Sequence, residues 1–494
     1  MSYLLTAPEM VATAATDLDV IAAALHAANA AAAGPTTGLL AAAEDEVSRA
    51  VATLFGAFGQ EYQAVVTLAA EFHSEFTRAL AAAANAYAQA EAAAANALSA
   101  FDTQVHSLLG PLLPNAGTGG TIPLTSIASP ATQVAFIMGG TAIPYPDAMY
   151  VTGAQTLFIQ PRFPGAVSNV LYTPEQVWPI TLNLGNLTLG RSVAQGVAIL
   201  SDAVNTQLST LGNGAVVFGY SQSATISTIE IRNLMSQPAP PSPSELAFVL
   251  TGNPNNPNGG VLQRFNGLYL PILDVLFNGA TPPDSPYPTV IYSNQYDGAA
   301  NFPQYPLNLL ADLNAIIGVF DGTHFYVGLT PDQVDNAVLL PTSPGYNGNT
   351  QYYLGLTQNL PLTSLIRPIP YVGTALAELI QPDLRVLVDL GYSDYGPGLS
   401  YADIPTPASF LSVPNPLAVS YYLAKGAVQG VQASMVSLGW LPPSYTPTGY
   451  PYAPSLAPGV NFFLGQSSVT GLSLLTGALG TAAKDLGWIP PWWY

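Results

Sequence analysis

The segment Gly214-Ala-Val-Val-Phe-Gly-Tyr-Ser-Gln-Ser-Ala224 narrows the fold more than any other stretch of this sequence. An apolar run reads as a buried strand. It ends in Gly219-Tyr220-Ser221-Gln222-Ser223, and a helical pattern follows at once. A strand-to-helix turn this tight holds its central residue in a strained backbone conformation. It accepts only small residues two positions before and two after. Gly219 and Ser223 meet that need, with Ser223 standing where Gly is more usual. The turn presents the Ser221 hydroxyl as a candidate nucleophile. The N-terminus of the following helix aims the Gln222 N–H at an oxyanion formed beside it.

A serine nucleophile needs a base, and the chain has four histidines. His26 and His73 lie in an Ala-rich N-terminal region and His106 lies at its end. Only His324, in Gly322-Thr323-His324-Phe325, falls among alternating strand and helix patterns. Elimination makes it the base, expected in a loop after a strand. The acid that orients its imidazole belongs between Ser and His in the chain order of an α/β-hydrolase. Asp297, in Tyr296-Asp297-Gly298 after the strand-like 289–293, is preferred. Asp274 lies in an apolar, helix-like run, Asp284 in a Pro-rich loop and Asp312 in a helical stretch. Asp321 is too near His324 in sequence to reach behind it. The second oxyanion donor is expected after the first strand, where Val134–Met138 leads into Gly139-Gly140-Thr141. Gly140 permits close backbone approach, and Thr141 adds a hydroxyl. This chemistry requires no metal and no organic cofactor.

Composition removes several other classes of function. Charged residues are 8% of the 494, against roughly 25% in ordinary globular proteins. Ten Lys and Arg face 29 Asp and Glu, so there is no basic stripe for nucleic acid or for an anionic membrane surface. The absence of Cys removes disulfides, thiolate metal sites and a Cys nucleophile. A surface covered mainly by uncharged polar residues suits a lipid-facing or cell-surface setting. Met1 to Val11 lacks the basic and apolar regions of a signal peptide, so export needs another route. The Ala-rich run 79–100 has the length of a membrane span. Asn85, Gln89, Glu91 and Asn96 interrupt it, so no transmembrane span is expected.

Four regions follow from the texture of the chain. Residues 1–101 read as a helical hairpin with a break near Gly34-Pro35 and Gly38. Met10, Val11, Leu18, Ile21 and Leu25 form one apolar stripe, and Val47, Val51, Leu54, Phe58, Tyr62 and Val65 begin another. The second helix is expected from about Leu39 past Leu80, roughly 60 Å at 1.5 Å per residue. Two helices cannot cover these stripes by themselves, so a helical partner is expected. Residues 102–130 read as a Gly/Pro-rich linker. Residues 131–395 alternate strands and helices, the pattern of a parallel sheet flanked by helices. Residues 396–494 are rich in Pro, Tyr and Gly, with helical character only at Leu417–Gly439, and read as an appendage and candidate lid.

On these residues the chain resembles a mycobacterial family. The N-terminal hairpin, with Pro8-Glu9 before it, resembles the PE domain, and Tyr87-Ala-Gln-Ala-Glu91 matches the Tyr-x-x-x-Asp/Glu signal of type VII secretion. Tyr172-Thr-Pro-Glu-Gln176, the Ser221 turn and Leu384-Arg-Val-Leu-Val-Asp-Leu-Gly-Tyr392 resemble the PE-PPE domain, a serine α/β-hydrolase module related to cutinases. The resemblance implies secretion to the cell envelope or surface, a PPE-type helical partner, and esterase or lipase action on acyl esters. It carries the Ser–Asp–His triad onto Ser221, Asp297 and His324. Two alternatives stay open: transfer of acyl chains onto glycolipid hydroxyls, and a non-catalytic surface interaction protein.

Overall fold

The computed structural model describes residues 8–38, 40–46, part of 48–81, 133–210 and 213–493. The chain divides into two compact units, Met1–Thr125 and Ser126–Tyr494.

In the first unit helix α1 covers Pro8–Thr37. It runs through the expected break at Gly34-Pro35 and stops only at Gly38, whose N–H reaches Gly34 O at 3.0 Å. Pro35 removes one intrahelical donor. The Thr36 and Thr37 hydroxyls bond back to the carbonyls of Ala32 and Ala33 at 2.6 and 2.7 Å, which keeps that last turn closed. Every described residue between 46 and 81 is helical. Tyr87, Glu91, His73, His106 and the expected linker 102–130 lie outside the described residues.

The second unit is built on a seven-stranded sheet of order β2-β1-β3-β4-β7-β9-β8. Its strands are β1 (Gln133–Ile137), β2 (Val167–Val170), β3 (Gly214–Tyr220), β4 (Leu246–Thr251), β7 (Thr289–Asn294), β8 (Val338–Leu339) and β9 (Thr350–Gly355). β5 (Tyr269–Leu270) and β6 (Val275–Leu276) form a separate antiparallel pair. All neighbours in the main sheet are parallel except β8 and β9. Parallel strands buried on both faces need apolar residues at every position, and β4 and β7 are buried throughout.

Alternate residues feed two cores. Phe136, Val217, Phe248 and Ile291 face helices α3 (Leu189–Leu208) and α4 (Gln222–Met235), where Val193, Leu200, Ile226 and Leu234 meet them. Ile137, Val216, Phe218 and Val249 face the other way, onto Tyr150 of α2 (Ala148–Gly153) and Phe158 of the π-helical turn after it.

Beyond the sheet lie α5 (Leu309–Phe320), α6 (Gly373–Asp389), α7 (Pro416–Ser437) and α8 (Gly471–Asp485). Residues after 396 therefore include a second helix, α8, beyond the one expected. Gly471, Gly477 and Gly480 weaken its helical signal, and Thr470 caps it by accepting the Ser473 N–H at 3.1 Å. Asp274 is not helical: it closes the turn between β5 and β6 with φ 51°. Its carboxylate accepts Thr188, Tyr269 and the indoles of Trp492 and Trp493, well apart from the Ser221 turn in the hydrogen-bond pattern.

Candidate active site

Ser221 sits between β3 and α4 with φ 56° and ψ −114°, a conformation that costs energy for any residue with a side chain. The surroundings hold it there. Its N–H donates to Thr251 O on β4 at 3.0 Å, and its carbonyl accepts Ala224 N–H at 3.1 Å. The Ser223 hydroxyl accepts the Tyr220 N–H at 2.8 Å and donates to Tyr220 O at 3.1 Å, so the departure from Gly adds a brace across the turn. A Cβ at Gly219 would lie 2.8 Å from both Ser223 O and Ser227 Oγ, which is why the turn requires glycine there.

Ser221 Oγ lies 2.8 Å from His324 Nε2, and His324 Nδ1 lies 2.8 and 2.9 Å from the two carboxylate oxygens of Asp297. A carboxylate only accepts, so Nδ1–H donates to Asp297, and the neutral ring leaves Nε2 to accept the Ser221 hydroxyl. Asp297 is fully buried and His324 is 8% exposed. The His324 loop follows a helix, α5, rather than a strand. Asp321 at the end of α5 accepts Thr323 N–H at 2.9 Å, His324 N–H donates to Gly318 O at 3.1 Å, and Asn294 of β7 holds Thr323 O at 2.7 Å.

Asp297 follows Tyr296, a non-glycine residue at φ 69°. The Tyr296 hydroxyl donates to Asp389 Oδ1 at 2.7 Å and accepts Arg385 Nη1 at 3.1 Å, both on α6. That is the structural role of the Leu384–Tyr392 motif: residues one helical turn apart anchor the turn that carries Asp297. Asp297 Oδ1 also accepts Ala299 N–H at 2.8 Å. Its Oδ2 accepts the hydroxyl of Tyr326 at 2.7 Å. Burial first, then the neighbouring Asp297 charge, pushes the Tyr326 phenol well above its ordinary pKa, so it remains a donor. Sequence reasoning missed Tyr326. The available signal was its place two residues after His324.

Gly140, Thr141 and Gln222 are also brought to Ser221. A Cβ on Gly140 would lie 2.8 Å from the Tyr220 ring and 3.1 Å from Ser221 Cβ, so only glycine allows this backbone so close. The Thr141 hydroxyl donates to Gln222 Oε1 at 2.9 Å, and Gln222 Nε2 donates to Ser192 Oγ at 2.7 Å. Gln222 opens α4, so its N–H has no intrahelical acceptor.

Comparison with known proteins agrees with this architecture. Residues 164–393 match the family model of the PE-PPE domain, and residues 4–94 match that of the PE family. PE family protein PE3 of Mycobacterium tuberculosis (strain ATCC 25618 / H37Rv) is 54% identical over 493 residues, covering 99% of this chain and 100% of that protein. This chain belongs to the PE family. The PE protein described here is also 46% identical over 422 residues to Esterase PE16 of the same strain, covering 85% of this chain and 74% of that one. Diacyltrehalose acyltransferase Chp2 of that strain is 29% identical over 279 residues, covering 53% of this PE chain and 74% of its own length. Among the described residues of this PE protein, no helix is long and apolar enough to cross a membrane.

Proposed function

We propose that this PE protein is a serine ester hydrolase whose nucleophile is Ser221. The observation that carries the reading is the unbroken row Asp297–His324–Ser221 at hydrogen-bond distance, on a serine held in a strained turn. His324 Nε2 takes the hydroxyl proton as Ser221 Oγ attacks the acyl carbonyl, and Asp297 stabilises the imidazolium. The oxyanion is met by the Gln222 N–H and by the Thr141 end of the Gly139–Ala142 loop. The imidazolium then protonates the departing alcohol, and water repeats the sequence on the acyl-enzyme.

Exposed apolar side chains suit an acyl or lipid substrate. Phe325 is exposed next to His324, Tyr145 stacks on Tyr172 at 4.6 Å, and Leu309, Leu313, Ile316 and Phe320 line the outer face of α5. The similarity to an esterase supports hydrolysis. The similarity to a diacyltrehalose acyltransferase favours a second reading, in which a glycolipid hydroxyl replaces water as the acceptor. Residues 396–494 would then act as a lid that excludes water.

The remaining assignments complete the proposal. Residues 1–101 pair with a PPE-type protein, and 102–130 link them to the hydrolase at 131–395. Tyr87 and Glu91 are read by type VII secretion machinery, which delivers the protein to the cell envelope or surface. The decisive experiment compares the full chain with Ser221→Ala on a short acyl ester and with a fluorophosphonate probe. Loss of turnover on the order of 10³-fold or more is expected, together with loss of labelling. Equal turnover, or no labelling of folded wild type, refutes the reading.

A further inference from the structure

Behind the loop that carries Gly140 and Thr141 lies an acid that the ester chemistry does not use. Glu175 is completely buried. Its Oε1 accepts the Thr173 hydroxyl at 2.6 Å, and its Oε2 has no hydrogen-bond partner. Glu175 has φ 49°, and its carbonyl accepts the N–H of Ala142 at 2.9 Å; Ala142 itself has φ 69°. Two side-chain-bearing residues in left-handed conformations are thus tied to each other, and neither is held there by its own preference. The next residue continues the connection. Gln176 N–H donates to Ser192 Oγ at 2.9 Å, and the same hydroxyl oxygen accepts Gln222 Nε2 at 2.7 Å. Gln222 in turn accepts Thr141. The segment 173–176 therefore holds both sides of the oxyanion region.

We propose that the buried carboxyl of Glu175 is a positioning residue, which holds the Gly139–Ala142 loop beside Ser221 and releases it when the carboxyl ionises. This rests on the serine-hydrolase reading above. The groups around the carboxyl are uncharged. Tyr150 faces it from α2, and Tyr220 lies beyond, its ring 6.3 Å from that of Tyr150 at the end of β3. Burial pushes both phenols up, so neither supplies charge. Ser192 of α3 and Gln222 of α4 are neutral, and among the described residues no cation pairs with Glu175. Burial pushes the Glu175 carboxyl up to about 8, against a smaller opposing effect of the Thr173 hydrogen bond. An anion here has one oxygen without a donor, and water can reach it only if the segment 173–176 moves. That movement pulls on Ala142 and on the Ser192–Gln222–Thr141 chain together.

The test uses the full chain as wild type, Glu175→Gln and Glu175→Ala. The first readout is kcat/KM for a short acyl ester from pH 6 to 10, with spontaneous hydrolysis subtracted. Wild type is expected to lose about tenfold or more between pH 7.5 and 9.5, as a single group titrating near 8 requires. Glu175→Gln, which keeps the shape of the neutral acid, retains turnover and lacks that fall. Glu175→Ala loses about tenfold at every pH. The second readout is the melting temperature against pH, which needs no turnover. A carboxyl held above its unfolded value gives stability that is complete below the unfolded pKa and is lost as pH rises through the folded one. Wild type should therefore lose stability relative to Glu175→Gln as pH rises from about 4.5 to 8. An alkaline fall in Glu175→Gln equal to that of wild type, or parallel melting curves, overturns the proposal. Absence of wild-type turnover overturns the hydrolase reading instead, and the melting curves still decide whether Glu175 is a buried neutral acid.

Discussion

Tyr326 donates its hydroxyl to Asp297 Oδ2 at 2.7 Å while accepting the Asn294 N–H at 2.7 Å, so one phenol joins the end of β7 to the carboxylate behind His324. Replacing it with Phe keeps the ring and removes the donor. The Asp297 oxygen keeps His324 Nδ1, but the Asn294 N–H loses its acceptor, and a buried donor left without its partner costs about 1–3 kcal/mol. We expect Tyr326→Phe to melt several degrees lower and to lower kcat about tenfold while KM stays within twofold. Unchanged kcat and melting temperature would show that this bond does not position Asp297.

The Ser223 brace gives a second test. Ser223→Ala leaves the Tyr220 N–H without its acceptor in a buried turn, at a cost of about 1–2 kcal/mol. Urea unfolding should show a lower midpoint with an unchanged slope. Ser223→Gly loses the same bond and should be no more stable than Ser223→Ala. A midpoint equal to wild type in either variant would mean that strain, not this bond, sets the stability of the turn.

Arg385 is fully buried, and burial pushes the Asp389 carboxyl up while Arg385 pulls it back down. Arg385→Met removes that pull and takes a charged donor from the Tyr296 hydroxyl, and losing a buried hydrogen bond to a charged group costs about 1.5–3 kcal/mol. Adding Asp389→Asn should recover a measurable part of the loss. A double-mutant cycle by urea unfolding with a coupling energy near zero would contradict the anchoring of Tyr296.

The two-unit division predicts separable tasks. A chain beginning at Ser126 should hydrolyse a short ester within about twofold of the full chain, because Ser221, His324 and Asp297 all lie in the second unit. Deleting the first unit, or changing Tyr87 to Ala, should abolish secretion without lowering the melting temperature of the hydrolase. A truncated chain that stays folded but loses turnover would place part of the site in the first unit.

How much could be read in advance depended on the range of the cause. Ser221 was legible because its requirements are local: a small residue two places away on each side and an apolar strand before it. His324 and Asp297 were reached by elimination and chain order. The helical stretch around Asp312 is α5, although it turns Ala311, Ala315 and Gly318 inward and Leu309, Leu313 and Phe320 outward, against the usual pattern. Asp274 was misread as helical because Pro271 to Phe277 is apolar on every side. Its turn is set by indoles more than 200 residues later, which no local window contains. The roles of Arg385 and Glu175 lie in bonds to other elements, from Arg385 to the Tyr296 hydroxyl and from the Ala142 N–H to the Glu175 carbonyl, which no local pattern contains.

The link from Tyr296 to Asp389 also orders events in time. Ninety-three residues separate that pair, and 103 separate Ser221 from His324. Contacts this distant along the chain form late, after the loops between them have closed. A nascent chain that has emerged only to residue 380 already contains the serine, the histidine and the aspartate, yet lacks the arginine and carboxylate that hold the turn before Asp297. Assembly of the row Asp297–His324–Ser221 thus waits on Asp389, a residue made after the serine, the histidine and the aspartate themselves.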